Sequence, residues 1–514
     1  MIHLDLLAST ASFSLILYLY VKRSGKRSLP LPPGPKKLPL IGNLLDMPTS
    51  FEWKTYHKWC KELNTDIIHL DVAGTSIVVL DTSEAATELL EKRSSIYSGR
   101  ARMPMINELM GWSFNFGFMA YGDHWRFHRR LMHQAFHPAA AKRFRPHEIK
   151  ATHGLLRRML EEPHNLIGNL RHMAGETIMS IAYGIDVKPK DDPYIATAEQ
   201  GVHPLVAAAV PGAFLVDVIP ALKYVPEWIP FAGFQRKAKE WKKLALRMIN
   251  VPFEAAKKNI ANGDTTPSFT AYSLENMDET KDMAYQEYVI KSTAGTMYAA
   301  GSDTTVSAIA SCVLGLLSHP DVLKKAQQEI DSVVRPGQLP DFEDEASLPY
   351  ITAIVKETLR WRDVVPIAVP HYLHVEDEYK GYRIPAGSII IPNAWAMLHD
   401  ENLYPEPLEF NPDRFMKDGK LNPAVRDPAH ATWGFGRRIC PGRYMAFSSV
   451  WIAVASIIAT LDIAKAVDEN GNVIEPTHEY LSALVCMPLP FKCVIKPRSK
   501  EAEALIRQTA VSEY

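Results

Sequence analysis

Cysteine is sparse and scattered in these 514 residues: Cys60, Cys312, Cys440, Cys486 and Cys493, with no CxxC pair among them. An odd, widely spaced set is neither a disulfide framework nor a zinc ribbon, and it fits a reducing compartment. An excess of charge of one sign is also lacking, since Lys+Arg 57 stand against Asp+Glu 58 for a net charge of −1. That balance gives no electrostatic ground for a nucleic-acid partner. Internal repeats and low-complexity tracts are absent too. What remains is an ordinary globular composition, 47% hydrophobic and 10% aromatic, able to build a sizeable core.

The longest early apolar run, LDLLASTASFSLILYLYV, spans residues 4–21 and is followed at once by Lys22, Arg23, Lys26 and Arg27. A secretory signal would carry its charges before the run and a small-residue cleavage site after it. Charges that follow the run place the body of the chain on the cytosolic side of a single-span anchor over residues 1–28. An interfacial helix lying on the membrane is the alternative. Residues 29–39, LPLPPGPKKLP, hold five prolines and one glycine. They predict a stiff extended connector to a single catalytic domain over 40–514.

Within that domain, DIIHLDVAGTSIVVLD (66–81) reads as two short strands around an Ala73-Gly74 turn. Residues 84–334 are mostly of helical pattern. The clearest helix runs over 286–318 and is stopped by Pro320, a shorter one covers 351–362, and an apolar one covers 443–461. YRIPAGSIII (382–391) predicts strand, turn and strand. The expected fold class is mainly α with small β-sheets at the edges.

The sharpest motif is TWGFGRRICPGRYMA at 432–446, a cysteine in a glycine-rich loop before an apolar helix. Glycines there permit tight turns and close approach of a flat ligand. A helix N-terminus and free N–H groups favour a thiolate at Cys440. Arg438, two residues earlier, is placed to pair with a ligand carboxylate. This stretch resembles the cysteine-ligand loop of the cytochromes P450, FxxGxRxCxG, with Gly436, Arg438, Cys440 and Gly442 in place and Trp433 where Phe is usual. Two further motifs keep company with it. ETLR at 357–360 followed by NPDRF at 411–415 matches the family's pattern, in which Glu357, Arg360 and Arg414 form a buried supporting network. AAGSDTTVSA at 299–308 puts poor helix formers in mid-helix, which predicts a local kink. It matches the oxygen-activation motif, with Ala300, Gly301, Asp303 and Thr304 in register.

The resemblance extends over nearly the whole chain. It is strongest to fungal, basidiomycete-type microsomal members such as the O-methylsterigmatocystin oxidoreductase-like and tryptamine 4-monooxygenase-like enzymes. It implies the P450 fold, haem b with Cys440 as axial thiolate, and a proton relay through Asp303 with Thr304 bonded to the iron-bound oxygen. It also implies propionate contacts from Arg438, Arg129, Trp125, Arg100 and His371. Because no GxGxxG followed by an acidic partner is present, electrons must come from another protein. By resemblance this is the NADPH–cytochrome P450 reductase of the endoplasmic reticulum membrane, docking on Arg437, Arg443, Arg129 and Arg130. Four apolar stretches, 102–119, 202–234, 364–369 and 483–488, are the expected walls of a pocket for a hydrophobic, aromatic or terpenoid small molecule. Secondary metabolism or xenobiotic oxidation would be the setting. A reductase-independent haem-thiolate isomerase or peroxygenase, and a non-catalytic haem sensor, are the rival readings. The Asp303-Thr304 pair argues against both.

Overall fold

The computed structural model describes residues 29–209, 213–230, 232–263 and 266–511. The anchor expected over 1–28 lies outside these residues.

Among the described residues, eleven helices of nine residues or more carry the fold: α1 (Glu52–Glu62), α2 (Asp123–Phe136), α3 (Arg145–Glu161), α4 (Leu166–Tyr183), α5 (Pro193–Ala208), α6 (Gly233–Ala261), α7 (Met283–Ser318), α8 (Pro320–Val333), α9 (Pro349–Trp361), α10 (Arg443–Thr460) and α11 (Lys500–Gln508). The axis of the molecule is α7. The Asp282 side chain accepts the Tyr285 N–H at its start, and Pro320 opens α8 directly beyond its end. It is apolar on every side, as a helix surrounded by others must be. Both α7 and α10 are long and apolar enough to cross a membrane, yet 72% and 67% of their most apolar windows are buried inside the protein. They are core helices. Val306, Ile309, Val313 and Leu316 of α7 pack with Val450, Val454 and Ile458 of α10 in one cluster. Each such side chain contributes about 1.5–3 kcal/mol of burial. A second cluster joins α2, α4, α5 and α6 to the first half of α7 and to Met105, Trp112, Phe114 and Phe116.

The sheets are peripheral. The largest has the order β1-β2-β6-β3, with β1 (Ile67–Val72) and β2 (Thr75–Leu80) antiparallel about the Ala73-Gly74 turn, where Gly74 has φ +88. The 382–391 stretch forms strand, turn and strand as expected, as β5 (Tyr382–Ile384) and β6 (Ile389–Pro392), and the two strands belong to different sheets. β5 pairs with β4 (Asp377–Tyr379), while β6 runs parallel to β2 and antiparallel to β3 (His371–Tyr372). The turn at 385–387 therefore hands the chain from one sheet to another. The proline-rich stretch is docked on the body, since the Pro30 and Pro33 carbonyls accept the Arg383 and His69 N–H groups.

Candidate functional site

The loop before α10 is held by sterics as much as by hydrogen bonds. Gly436 has φ +55, and a Cβ there would stand 2.0 Å from the Leu90 carbonyl oxygen, so no other residue fits. The Cys440 N–H donates to the Trp433 carbonyl at 2.7 Å and closes the loop. Gly442 differs: a Cβ would meet nothing within 4 Å. No protein contact requires glycine there, and its absence of side chain suits close approach of a flat group. Burial raises the Cys440 thiol, while the N–H of Gly442 and the charges of Arg129 and Arg443 pull it down. A bound cationic metal would complete the deprotonation.

Three guanidiniums and an imidazole gather beside this loop. Arg438 donates to the carbonyls of Ser98 at 2.8 Å, Met119 at 2.8 Å and Phe116 at 3.4 Å, and lies 4.5 Å from the Trp125 ring centre. Arg100 donates to the Gly117, Val369 and Pro370 carbonyls, and the His371 ring nitrogen Nδ1 pairs with the Tyr97 carbonyl. Among the described residues no carboxylate lies in ion-pair range of Arg100, Arg129 or Arg438. Burial, then mutual repulsion with Arg129, pulls Arg438 down to about 9, and burial pulls Arg129 to about 10. Arg100 and His371 are lowered well below their ordinary values by burial and by the neighbouring arginines. Arginine does not surrender its proton in such places. The direction of the shifts instead measures an unbalanced positive charge, which a buried dianionic ligand would offset. A thiolate loop with space over it and a cationic cradle beside it fits a haem with its two propionates. Arg438 was expected on a carboxylate; in the protein alone its donors rest on backbone carbonyls.

In α7 the helical assignment is continuous through Ala299–Ala308. The Thr304 hydroxyl donates to the Ala300 carbonyl at 2.6 Å, leaving its lone pairs to accept. Gly301 packs closely on α4, where a Cβ would meet the terminal methyl of Ile178 at 2.8 Å and displace it. Asp303 faces α4, with its carboxylate 3.6 Å from Arg171 Nε. Burial raises the Glu199 carboxyl on α5, and Arg171 and Asp303 act on it in opposite directions. Arg171 and Glu199 were not found by sequence reasoning. They lie on other helices, and no local pattern marks them.

The supporting network is fully buried. Glu357 and Arg360 are 0% exposed, and the carboxylate accepts Arg360 Nε at 2.7 Å, Arg360 Nη2 at 2.9 Å, Arg414 Nε at 3.1 Å and the Asn411 N–H at 2.8 Å. Arg360 also reaches the Leu398 and Pro407 carbonyls. One expectation is narrowed and one corrected. Arg129 is half-buried with Cys440 acting on its charge, whereas Arg130 and Arg437 are exposed. The 202–234 stretch is not all cavity wall, because Leu215, Ile219, Tyr224 and Trp228 are 50–78% exposed.

Fold and site together define a haem-thiolate enzyme. The chain belongs to the cytochrome P450 family, whose description matches residues 32–494. It is 50% identical over 509 residues to cytochrome P450 monooxygenase 98 of Postia placenta, with 98% of each chain covered. It is 44% identical to cytochrome P450 monooxygenase ple1 of Rhodocybe pseudopiperita over 98% of this chain and 96% of that one. It is also 42% identical to tryptamine 4-monooxygenase of Psilocybe cyanescens over 96% and 98%. The chain is thus an enzyme of the monooxygenase class.

Proposed function

We propose that this monooxygenase places one atom of dioxygen into a hydrophobic small molecule, aromatic or terpenoid, with electrons from NADPH delivered by a separate membrane-bound reductase. The name of one relative, tryptamine 4-monooxygenase, supports an aromatic amine as the kind of molecule taken. The catalytic domain would face the cytosol from the endoplasmic reticulum membrane, held by residues 1–28.

The observation that carries the reading is the pairing of a thiolate loop and unbalanced cationic cradle with an acid–alcohol pair on the helix that packs against α10. When bound, thiolate-ligated haem activates dioxygen, the cysteinate pushing electron density towards O–O cleavage. The chain supplies the surroundings. Cys440 would hold the haem iron through its thiolate, Arg100, Arg129, Arg438 and His371 would hold the propionates, and the Trp125 ring lies against Arg438. The Asp303 carboxylate can carry a proton inward, and Thr304 Oγ1, anchored on the Ala300 carbonyl, can accept and pass it. Buried Phe114 and Phe116 would help keep water from the site. Exposed Arg130 and Arg437 present positive charge on the cysteine side for an acidic partner face.

Co-expression with a fungal reductase, with NADPH and a panel of polycyclic aromatics, indoles, stilbenes, steroids and terpenes, tests this. Products heavier by one oxygen should form and should be lost in Cys440→Ala and Asp303→Asn. Product that persists in Cys440→Ala would overturn the thiolate assignment.

A further inference from the structure

Five prolines leave residues 29–39 with few N–H groups, so this connector joins the body by accepting hydrogen bonds or through a side chain. Its Pro33 carbonyl accepts the His69 N–H at 2.8 Å. Gly34 presses so close to β1 that a Cβ would stand 2.1 Å from the His69 carbonyl oxygen. The side-chain tie comes from Lys37, whose Nζ lies 2.7 Å from Nδ1 of the same histidine.

The line of contacts continues beyond His69. Its Nε2 lies 2.9 Å from Ser76 Oγ on β2, and Ser76 Oγ lies 2.7 Å from Ser388 Oγ, one residue before β6. Ser388 in turn donates to the Pro385 carbonyl at 2.7 Å. His69 is 2% exposed and Ser388 0%, so water does not compete along the middle of the line. Both ends are one-way, since an ammonium only donates and a carbonyl only accepts. The protons between them must therefore all point the same way. Lys37 donates to a bare Nδ1, and the imidazole carries its hydrogen on Nε2 and donates it to Ser76. Ser76 donates to Ser388, and Ser388 to the carbonyl. Burial, with Lys37 adding to it, pulls the His69 imidazole down to about 4, so near neutral pH the ring is uncharged and Nδ1 stays bare. Each bond polarises the next, and the line holds as a unit.

We propose that this ordered line is a latch that fastens the connector across β1 and β2 to the turn at 385–387. It holds the catalytic domain at a fixed attitude to the chain that precedes residue 29. Removing a donor or an acceptor anywhere along it frees the connector without unfolding the body. The backbone directly beyond Lys37 reports such release: Leu40 is 96% exposed and has φ +66, a strained conformation kept only while its surroundings hold it.

The test is limited proteolysis of the full-length, haem-loaded protein by thermolysin, which cuts before apolar residues. Mass spectrometry counts cuts within 38–45 against cuts elsewhere in the body. Lys37→Ser should raise cutting within 38–45 by roughly tenfold, about 1.4 kcal/mol for a charged hydrogen bond, because cleavage follows the open fraction. Lys37→Arg, which also only donates, should stay within about threefold of the native chain. Lys36→Ser removes the same charge next door and should change the rate by less than about twofold. Ser76→Ala touches neither Lys37 nor the connector, yet takes the acceptor from Nε2 and should raise cutting within 38–45 by at least about threefold. Unchanged cutting in Lys37→Ser, or an equal rise in Lys36→Ser, would overturn the latch. A rise in Lys37→Ser with none in Ser76→Ala would reduce it to one surface contact and overturn the ordered line. Equal rises within 38–45 and throughout the body would mean general loosening and would also count against it.

Discussion

Replacing Glu357 by Gln removes one negative charge and one acceptor from a site that is fully shielded from water. Four donors converge on that carboxylate, two from Arg360, one from Arg414 and one from the Asn411 backbone. Gln keeps one oxygen but turns an N–H₂ towards a guanidinium, so Arg360, itself 0% exposed, loses its counter-charge. Breaking a buried pair from one side costs about 3–5 kcal/mol, a large share of a net stability of roughly 5–15 kcal/mol. Unfolding entropy for a chain of this size is on the order of 1 kcal/mol per degree, so the melting midpoint should fall by about 3–5 °C. Haem retention should fall with it, because the network ties α9 to the segment leading into the cysteine loop. The exposed Arg507–Glu503 pair is the control, and Glu503→Gln should change stability by less than about 0.5 kcal/mol. The reasoning fails if Glu357→Gln melts within a degree of Glu503→Gln and keeps its haem.

Three other outcomes are expected. Asp303→Asn should lower product formed per NADPH by about a hundredfold with the absorption spectrum unchanged; an undiminished yield would remove Asp303 from the proton path. Gly436→Ala should cost more than about 3 kcal/mol and yield little folded protein, since its Cβ would overlap the Leu90 carbonyl at a positive φ; normal expression and melting would contradict the loop geometry. Glu148, on α3 and bonded to Ser448 and Ser449 of α10, has its carboxyl raised to about 7 by burial, against an ordinary value of 4.5. The fold therefore holds a proton that the unfolded chain releases, and stability falls as pH rises from about 4.5 to 7. Glu148→Gln should flatten that fall by on the order of 3 kcal/mol. Parallel pH–stability curves for the variant and the native chain would refute it.

The parts of the site written on contiguous chain were legible before the structure. The cysteine loop, the run around Asp303 and the ETLR helix each carry their chemistry within a few residues, and the end of α7 follows from a proline stop, while its start, at the Asp282 cap, lies three residues before the one expected. What was not legible comes from distant chain. Arg171 meets Asp303 only because α4 packs across α7. The carbonyls that hold Arg438 belong to the segments at 98 and 116–119. β5 and β6 are legible as strands, but which strands they pair with is decided elsewhere in the sequence. In 202–234 an apolar composition hid the difference between wall and surface, because alternation there is weak.

The central claim is that Cys440 ligates the haem of an enzyme that transfers one oxygen atom from dioxygen. Mass spectrometry of product made under heavy-isotope dioxygen, with reductase and NADPH, tests it most directly. One labelled oxygen per product molecule is predicted, with no product from Cys440→Ala. Product lacking the label, or labelled product from Cys440→Ala, would contradict the account.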